Sequence, residues 1–281
     1  MSEVRWKIAG HVIDLTNRSI LMGVLNVTPD SFSDGGQFFS TDAAVRHGVE
    51  MAQSGAEIID VGGESTRPGA IPVGLDEEKQ RVLPVIEQLS HLVKTHISID
   101  TSKAGVARAA IEAGATIIND VTGGRGDAEM FGLAAETGAG LIIMHMQGTP
   151  ETMQINPSYD DVVAEVADFF RQQFDLAILS GIDPMCIAFD PGIGFGKTGA
   201  HNLELLANLA RLRIQSRPLV LGVSRKSFLG KISGQSSNRL SATVAMTSLM
   251  RERGADVLRV HDVEENAAAL RATDALMAAT Q

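Results

Sequence analysis

Ser54-Gly-Ala-Glu-Ile-Ile59 is the stretch that decides the fold: a glycine followed at once by an apolar, β-rich run. Glycine just past a helix end can adopt positive φ and stop the helix. The stretch therefore reads as the joint between a helix and a strand. The same joint returns as Ala113-Gly-Ala-Thr-Ile-Ile118, Thr137-Gly-Ala-Gly-Leu-Ile142 and Arg253-Gly-Ala-Asp-Val-Leu258, with a longer version at Ser180-Gly-Ile-Asp-Pro184. Working outward from these joints, strands are expected at 20–27, 57–61, 97–100, 116–120, 141–145, 185–190, 219–223 and 257–261. Helices are expected at 42–54, 75–90, 103–113, 128–137, 160–180, 202–211, 239–253 and 264–279. Eight strand–helix units predict an α/β protein built as a (β/α)8 TIM barrel, with an open doubly wound sheet as the alternative. A short N-terminal β-hairpin, 5–8 and 11–15, should turn at Ala9-Gly10. No composition break marks a second domain, so 1–281 reads as one domain, with the hairpin in 1–18 and the barrel in 19–281.

Composition supports this reading. The 281 residues are 44% apolar but only 4% aromatic, which suits strands buried on both faces under closely packed helices. A formal charge of −10 argues against a nucleic-acid groove, while leaving room for a small anion on a local cluster of cations. The lone Cys186 excludes an internal disulfide and a Cys-rich metal site. No apolar run reaches the ~20 residues that span a bilayer, and the N-terminus lacks a signal-peptide core, so no membrane contact and a cytoplasmic location are expected.

Barrels of this class build their sites where strands end and βα loops begin. Here the strand ends read Asn26, Asp60, Asp100, Asn119-Asp120, His145, Asp190, Ser224-Arg-Lys226 and Arg259-Val-His261. One polar strand end is ordinary; eight at one rim make a pocket. Arg259 and His261, two apart, should leave the same face of their strand. Carboxylates and amides suit a ring that presents N–H donors. The cations Arg67, Lys226 and Arg259, with His261, suit a phosphate or diphosphate accompanied by Mg2+, which takes few protein oxygens and shares its shell with substrate. His91, His96 and His201 read as surface residues, and His145 could face either core or rim.

Several motifs fail. The segment Asp190-Pro-Gly-Ile-Gly-Phe-Gly-Lys-Thr198 has proline where a P-loop needs its first glycine. Gly194-Phe-Gly-Lys-Thr-Gly199 fits a dinucleotide pattern, yet the next strand lacks the acidic residue that would hold a ribose. These glycines read better as a loop whose backbone approaches a flat ligand. No nucleophile–base pair is evident.

Asn26-Val-Thr-Pro-Asp-Ser-Phe-Ser-Asp-Gly-Gly36 and Gly55-Ala-Glu-Ile-Ile-Asp-Val-Gly-Gly-Glu-Ser-Thr-Arg-Pro-Gly69 resemble the two signature segments of the dihydropteroate synthase family. Ser98-Ile-Asp-Thr101, Ile118-Asn-Asp120, Asp190–Thr198, Ser224-Arg-Lys-Ser227 and Arg259-Val-His261 follow in the family's order. The resemblance implies a (β/α)8 barrel, commonly a homodimer, that joins p-aminobenzoate to 6-hydroxymethyl-7,8-dihydropterin diphosphate in folate biosynthesis and that sulfonamides inhibit. It implies Asn26 on Mg2+, with Asp34 closing over it from the first loop, and Arg259, His261 and Arg67 on the diphosphate. Asp100, Asn119, Asp190, Gly222 and Lys226 would take the pterin, with Met144 and Phe195 against its ring. Ser227 would take the p-aminobenzoate carboxylate, and Thr66, Pro68 and Phe32 would line that ring. The first loop is then long because it must fold over a substrate and exclude water. The rival readings are a pterin-dependent corrinoid methyltransferase barrel, an aldolase-like barrel using Lys226 as a Schiff base, and a non-catalytic pterin-binding paralogue.

Overall fold

Alternation along the strands sorts side chains to two sides of a closed barrel. The structure, a computed structural model, describes residues 3–28, 37–65, 69–234 and 239–279. Eight parallel strands form the barrel: β3 (Ile20–Asn26), β4 (Ile58–Gly62), β5 (His96–Asp100), β6 (Ile117–Asp120), β7 (Gly140–Met144), β8 (Ile187–Asp190), β9 (Val220–Leu221) and β10 (Val257–Val260). They run β8-β7-β6-β5-β4-β3-β10-β9, and a parallel bridge between Phe189 and Leu219 joins the last pair. Every one of the eight expected strands is present, with ends shifted by a few residues. The glycines at the helix–strand joints do take positive φ, as at Gly55 (110°) and Gly114 (113°).

The second residue of each of six strands, Leu21, Ile59, Ile97, Ile118, Leu141 and Leu258, packs outward in the core under the helices. First and third residues of the strands, Ile20, Met22, Ile58, Ile117, Ile142, Val220 and Val257, fill the barrel's lower interior. That interior is completed by the hairpin of β1 (Arg5–Ile8) and β2 (His11–Asp14), whose Trp6, Ile8, Val4 and Leu15 belong to the same cluster. The Trp6 indole N–H donates to the Cys186 carbonyl at 2.9 Å, so the largest side chain of the plug also satisfies its one polar atom. The hairpin carries no motif, yet it stoppers the end of the barrel away from the strand-end site.

The helices that position the site are α1 (Gln37–Gln53), α2 (Leu75–Leu92), α3 (Ala104–Glu112), α4 (Met130–Thr137), α5 (Val162–Leu179), α6 (Gly199–Ala207), α7 (Leu209–Leu212), α8 (Ser227–Ser233), α9 (Leu240–Glu252) and α10 (Val263–Ala278). Three details depart from the sequence reading. The expected 202–211 helix is divided at Asn208, whose backbone leaves the helical region. Residues 184–186 form a 3-10 turn rather than strand. The short α8 had no periodicity to announce it. Among the described residues no helix is long and apolar enough to cross a membrane.

Candidate active site

At the barrel's upper interior the inward positions turn polar. Asp60 is fully buried in β4, and its Oδ2 accepts from Arg259 Nε (2.6 Å) and from Asn119 Nδ2 (3.1 Å). Arg259 Nη2 donates to Asp100 Oδ2 at 2.7 Å. Strand register explains the grouping: Asp100 pairs with Asn119 across β5 and β6, and Met144 with Asp190 across β7 and β8. Burial pushes the Asp100 carboxyl up from its ordinary range, and the Arg259 guanidinium opposes that. Burial likewise disfavours the charge on Arg259, but Asp60 and Asp100 together outweigh it. Two of the five guanidinium N–H groups are spent on these carboxylates, which leaves the others for a ligand.

Asp190 ends β8 under the same influence. Burial raises its pKa, while the Gly192 N–H, which it accepts at 2.7 Å, and Lys226 and Arg259 lower it. Lys226 Nζ lies 4.2 Å from the centroid of the Phe195 ring. Burial, then Arg259, bring the Lys226 pKa down to about 8, against the pull of Asp190 and Asp100. Met144 and Phe195 belong to one apolar cluster with Val121, Met146 and Met153, which gives a flat ring one wall to lie on. A Cβ added to the half-buried Gly222 would meet nothing within 4 Å, so there is open space beside it. Ser227 opens α8, whose N-terminus no side chain caps.

The outer rim holds Asn26, at the end of β3, and His261. The Asn26 amide makes no side-chain hydrogen bond to any described residue. His261 Nδ1 and its backbone N–H both lie on Ser224 Oγ, at 3.0 and 3.2 Å. If the buried hydroxyl accepts from the backbone and gives its proton to Nδ1, the ring carries its hydrogen on Nε2 and presents it outward. Burial, with Arg259 and Arg225, lowers the His261 pKa to about 4, which favours the neutral imidazole in the ligand-free site. Arg225 itself is turned away by a positive φ (57°) and pairs with Asp262.

The structure thus brings Asp100, Asn119, Asp190, Lys226, Arg259, Phe195 and Met144 to one mouth, with Asn26, His261, Gly222 and Ser227 around it. Asp34, Phe32, Thr66, Arg67 and Pro68 lie outside the described residues. Not every polar strand end serves the mouth. Asp120 turns to its own loop, accepting from Thr122 N (2.8 Å), Thr122 Oγ1 (2.6 Å) and Gly124 N (2.7 Å). His145 is buried, edge-on to Phe169 at 5.0 Å, and its Nδ1 lies 3.0 Å from Lys197 Nζ. His96 is not a surface residue: it begins β5, half-buried, beside Thr116 Oγ1 at 3.1 Å. His201 shares a capping box with Thr198 at the start of α6. Asp60 and Ser224 were expected only as members of the polar strand-end set; Asp60 holds the Arg259 and Asn119 side chains, and Ser224 holds the His261 ring.

Among the described residues no group of three His, Cys, Asp or Glu could hold a metal ion. The open Asn26 amide is a hard oxygen donor of the kind that suits Mg2+ shared with a substrate's phosphates, not a closed protein cage.

Residues 22–261 match the family described as pterin binding enzyme. The dihydropteroate synthase of Escherichia coli K12 is 46% identical over 275 residues, covering 97% of this chain and 96% of that protein. Among solved structures, Xanthomonas albilineans dihydropteroate synthase with 4-aminobenzoic acid superposes with a TM-score of 0.91 at 43% identity, over 99% of each chain. The same organism's enzyme in complex with 7,8-dihydropteroate gives 0.88 at 41% identity, over 98% of this chain and 99% of that one.

Proposed function

The chain belongs to the dihydropteroate synthase family of pterin-binding enzymes, and from that premise we propose that it joins p-aminobenzoate to 6-hydroxymethyl-7,8-dihydropterin diphosphate. The observation that carries this is the convergence of Asp60, Asp100, Asn119, Asp190, Lys226 and Arg259 on one mouth beside the Met144 and Phe195 wall.

The reaction breaks the C–O bond between the pterin methylene and the diphosphate, and forms a C–N bond from the aryl amine to that methylene. Pyrophosphate departs with the electron pair, and the amine loses a proton after attack. The aryl amine is a weak base that needs no prior deprotonation, which fits a site without a dedicated general base. The demand is electrostatic: positive charge grows on the pterin methylene and negative charge on the leaving group. Asp100, Asn119 and Asp190 take the pterin's polar edge and favour the cationic ring. Lys226 donates to a pterin carbonyl oxygen or ring nitrogen. The remaining N–H groups of Arg259 and the neutral Nε2–H of His261 face the diphosphate, with Arg67 from the second loop. Asn26, with Asp34, would hold Mg2+, which supplies charge neutralisation on the diphosphate when bound. Ser227 at the start of α8 receives the p-aminobenzoate carboxylate, with Thr66, Pro68 and Phe32 along its ring. The homodimer and cytoplasmic location implied by the family complete the proposal; ultracentrifugation of the purified chain tests the first.

Incubating the protein with both substrates should release pyrophosphate and form 7,8-dihydropteroate, with little release when p-aminobenzoate is omitted. Tight pterin binding without either product would overturn the assignment in favour of a binding protein.

A further inference from the structure

Among the described residues, one deeply buried cation beside the mouth has no role in the site described above. Lys197 lies in the Gly-rich loop after β8 and is only 3% exposed, more deeply enclosed than either Lys226 or Arg259. No carboxylate among the described residues forms an ion pair with it. Its Nζ instead sits among four acceptors: the carbonyls of Phe195 (2.9 Å), Gly192 (3.1 Å) and His145 (3.2 Å), and His145 Nδ1 (3.0 Å). A buried ammonium without a counter-ion is costly unless its donors are satisfied, and here three N–H groups meet acceptors on every side.

The converging carbonyls explain why a cation is there. Gly192 has φ of 64°, and a Cβ on it would come within 1.9 Å of the His145 oxygen. Two chain segments therefore touch backbone to backbone, with the oxygens of both turned to one point. Such oxygens repel one another unless positive charge lies between them. Burial lowers the Lys197 pKa to about 7, with Asp190 acting in the opposite direction. The four acceptors favour the charged form.

What these bonds hold is the floor of the site. The Gly192 peptide that gives its carbonyl to Lys197 gives its N–H to Asp190 Oδ1. Phe195, whose carbonyl is also held, carries the ring under Lys226. His145 follows Met144 and donates its backbone N–H to the Asp190 carbonyl at 2.9 Å. Resting on the pterin-binding reading above, we propose that Lys197 is a positioning residue for the pterin: its ammonium ties the end of β7 to the loop after β8 and thereby sets Asp190, Phe195 and Met144 at the mouth.

Lys197→Met keeps an unbranched side chain only one atom shorter but removes the charge and the donors. Calorimetry with 6-hydroxymethylpterin should show affinity at least about tenfold weaker than wild type. At saturating pterin diphosphate, the KM for p-aminobenzoate should stay within about twofold. Unchanged pterin affinity, or equal losses for both substrates, overturns the proposal, since a general packing role would produce the second result. Lys197→Ala supplies an independent arm: ammonium chloride should restore pterin affinity where sodium chloride at equal ionic strength does not, and absence of rescue counts against the proposal. If neither variant folds, wild-type protein labelled with 15N-lysine decides. A slowly exchanging ammonium resonance should shift on pterin addition, and a resonance indifferent to pterin overturns the assignment. A wild-type protein that fails to bind pterin in the first assay sinks the functional reading as well, whereas normal wild-type binding with an unaffected variant sinks only the role of Lys197.

Discussion

Arg259 shows at the scale of one residue how charge, burial and function are linked. It lies between Asp60 and Asp100, both buried, so its removal strands two carboxylates in the barrel. Breaking a buried pair this way typically costs about 3–5 kcal/mol. Arg259→Met should be destabilised by that order at neutral pH. Without the guanidinium, burial holds the Asp100 carboxyl pKa above its unfolded value. Stability from its protonated form is then present at low pH and lost as pH rises. The gap in Tm between variant and wild type should narrow on acidification; a gap independent of pH would contradict the ion-pair account. Lys226 predicts a different limb. It offers the pterin a charge-assisted hydrogen bond only when protonated, and its pKa is brought down to about 8. kcat/KM for the pterin diphosphate should therefore fall above about pH 8, and Lys226→Arg should move that fall upward. A wild-type profile flat to about pH 10 would remove Lys226 from this role. The identity of both residues as site candidates could be read from strand-end position. Their protonation could not, because it depends on which charges the barrel brings within reach.

Elements divide the molecule into a catalytic end and a structural end. The β1–β2 hairpin occupies the strand-start side, where Trp6 is wholly enclosed. Trp6→Ala should cost about 3–5 kcal/mol of stability. Measured well below the Tm, kcat should remain close to wild type. A large loss of kcat in a folded variant would show that the plug communicates with the mouth. At the other end, loops carry the specificity. The segment after β8 is pinned by Asp190, Lys197, Asn202 (Oδ1 accepts from Gly194 N at 2.8 Å) and Tyr159 (to the Gly196 carbonyl at 2.7 Å). Its glycines were legible as a close-approach loop. What approaches turned out to be the neighbouring backbone of His145 and Gln147 as well as the Lys226 stem. The helix α8, seven residues long, is missing from the helices read by periodicity, because so short a helix has too few turns to show a period, although a helix start by Ser227 was implied by the family resemblance.

At the scale of the whole molecule the site has no single owner. Strands β3 to β8 and β10, with the segment that follows β9, each give a residue to the mouth or its border, so a bound pterin spans much of the sheet. Ligand at about 100 times its Kd should add about 2.7 kcal/mol to stability and raise the Tm of the whole barrel. Calorimetric scans should show one transition moving upward. A second transition that ignores the pterin would mean that part of the chain folds independently of the site. The eightfold alternation of strand and helix, the glycine joints, the hairpin and nearly every strand-end candidate were written in the sequence, since local periodicity and turn chemistry are properties of neighbouring residues. The partner of each buried charge was not. Whether Asp120 faces the mouth or its own loop, whether His261 is charged, and what surrounds Lys197 depend on groups far apart in the chain that only barrel closure brings within a few ångströms of one another.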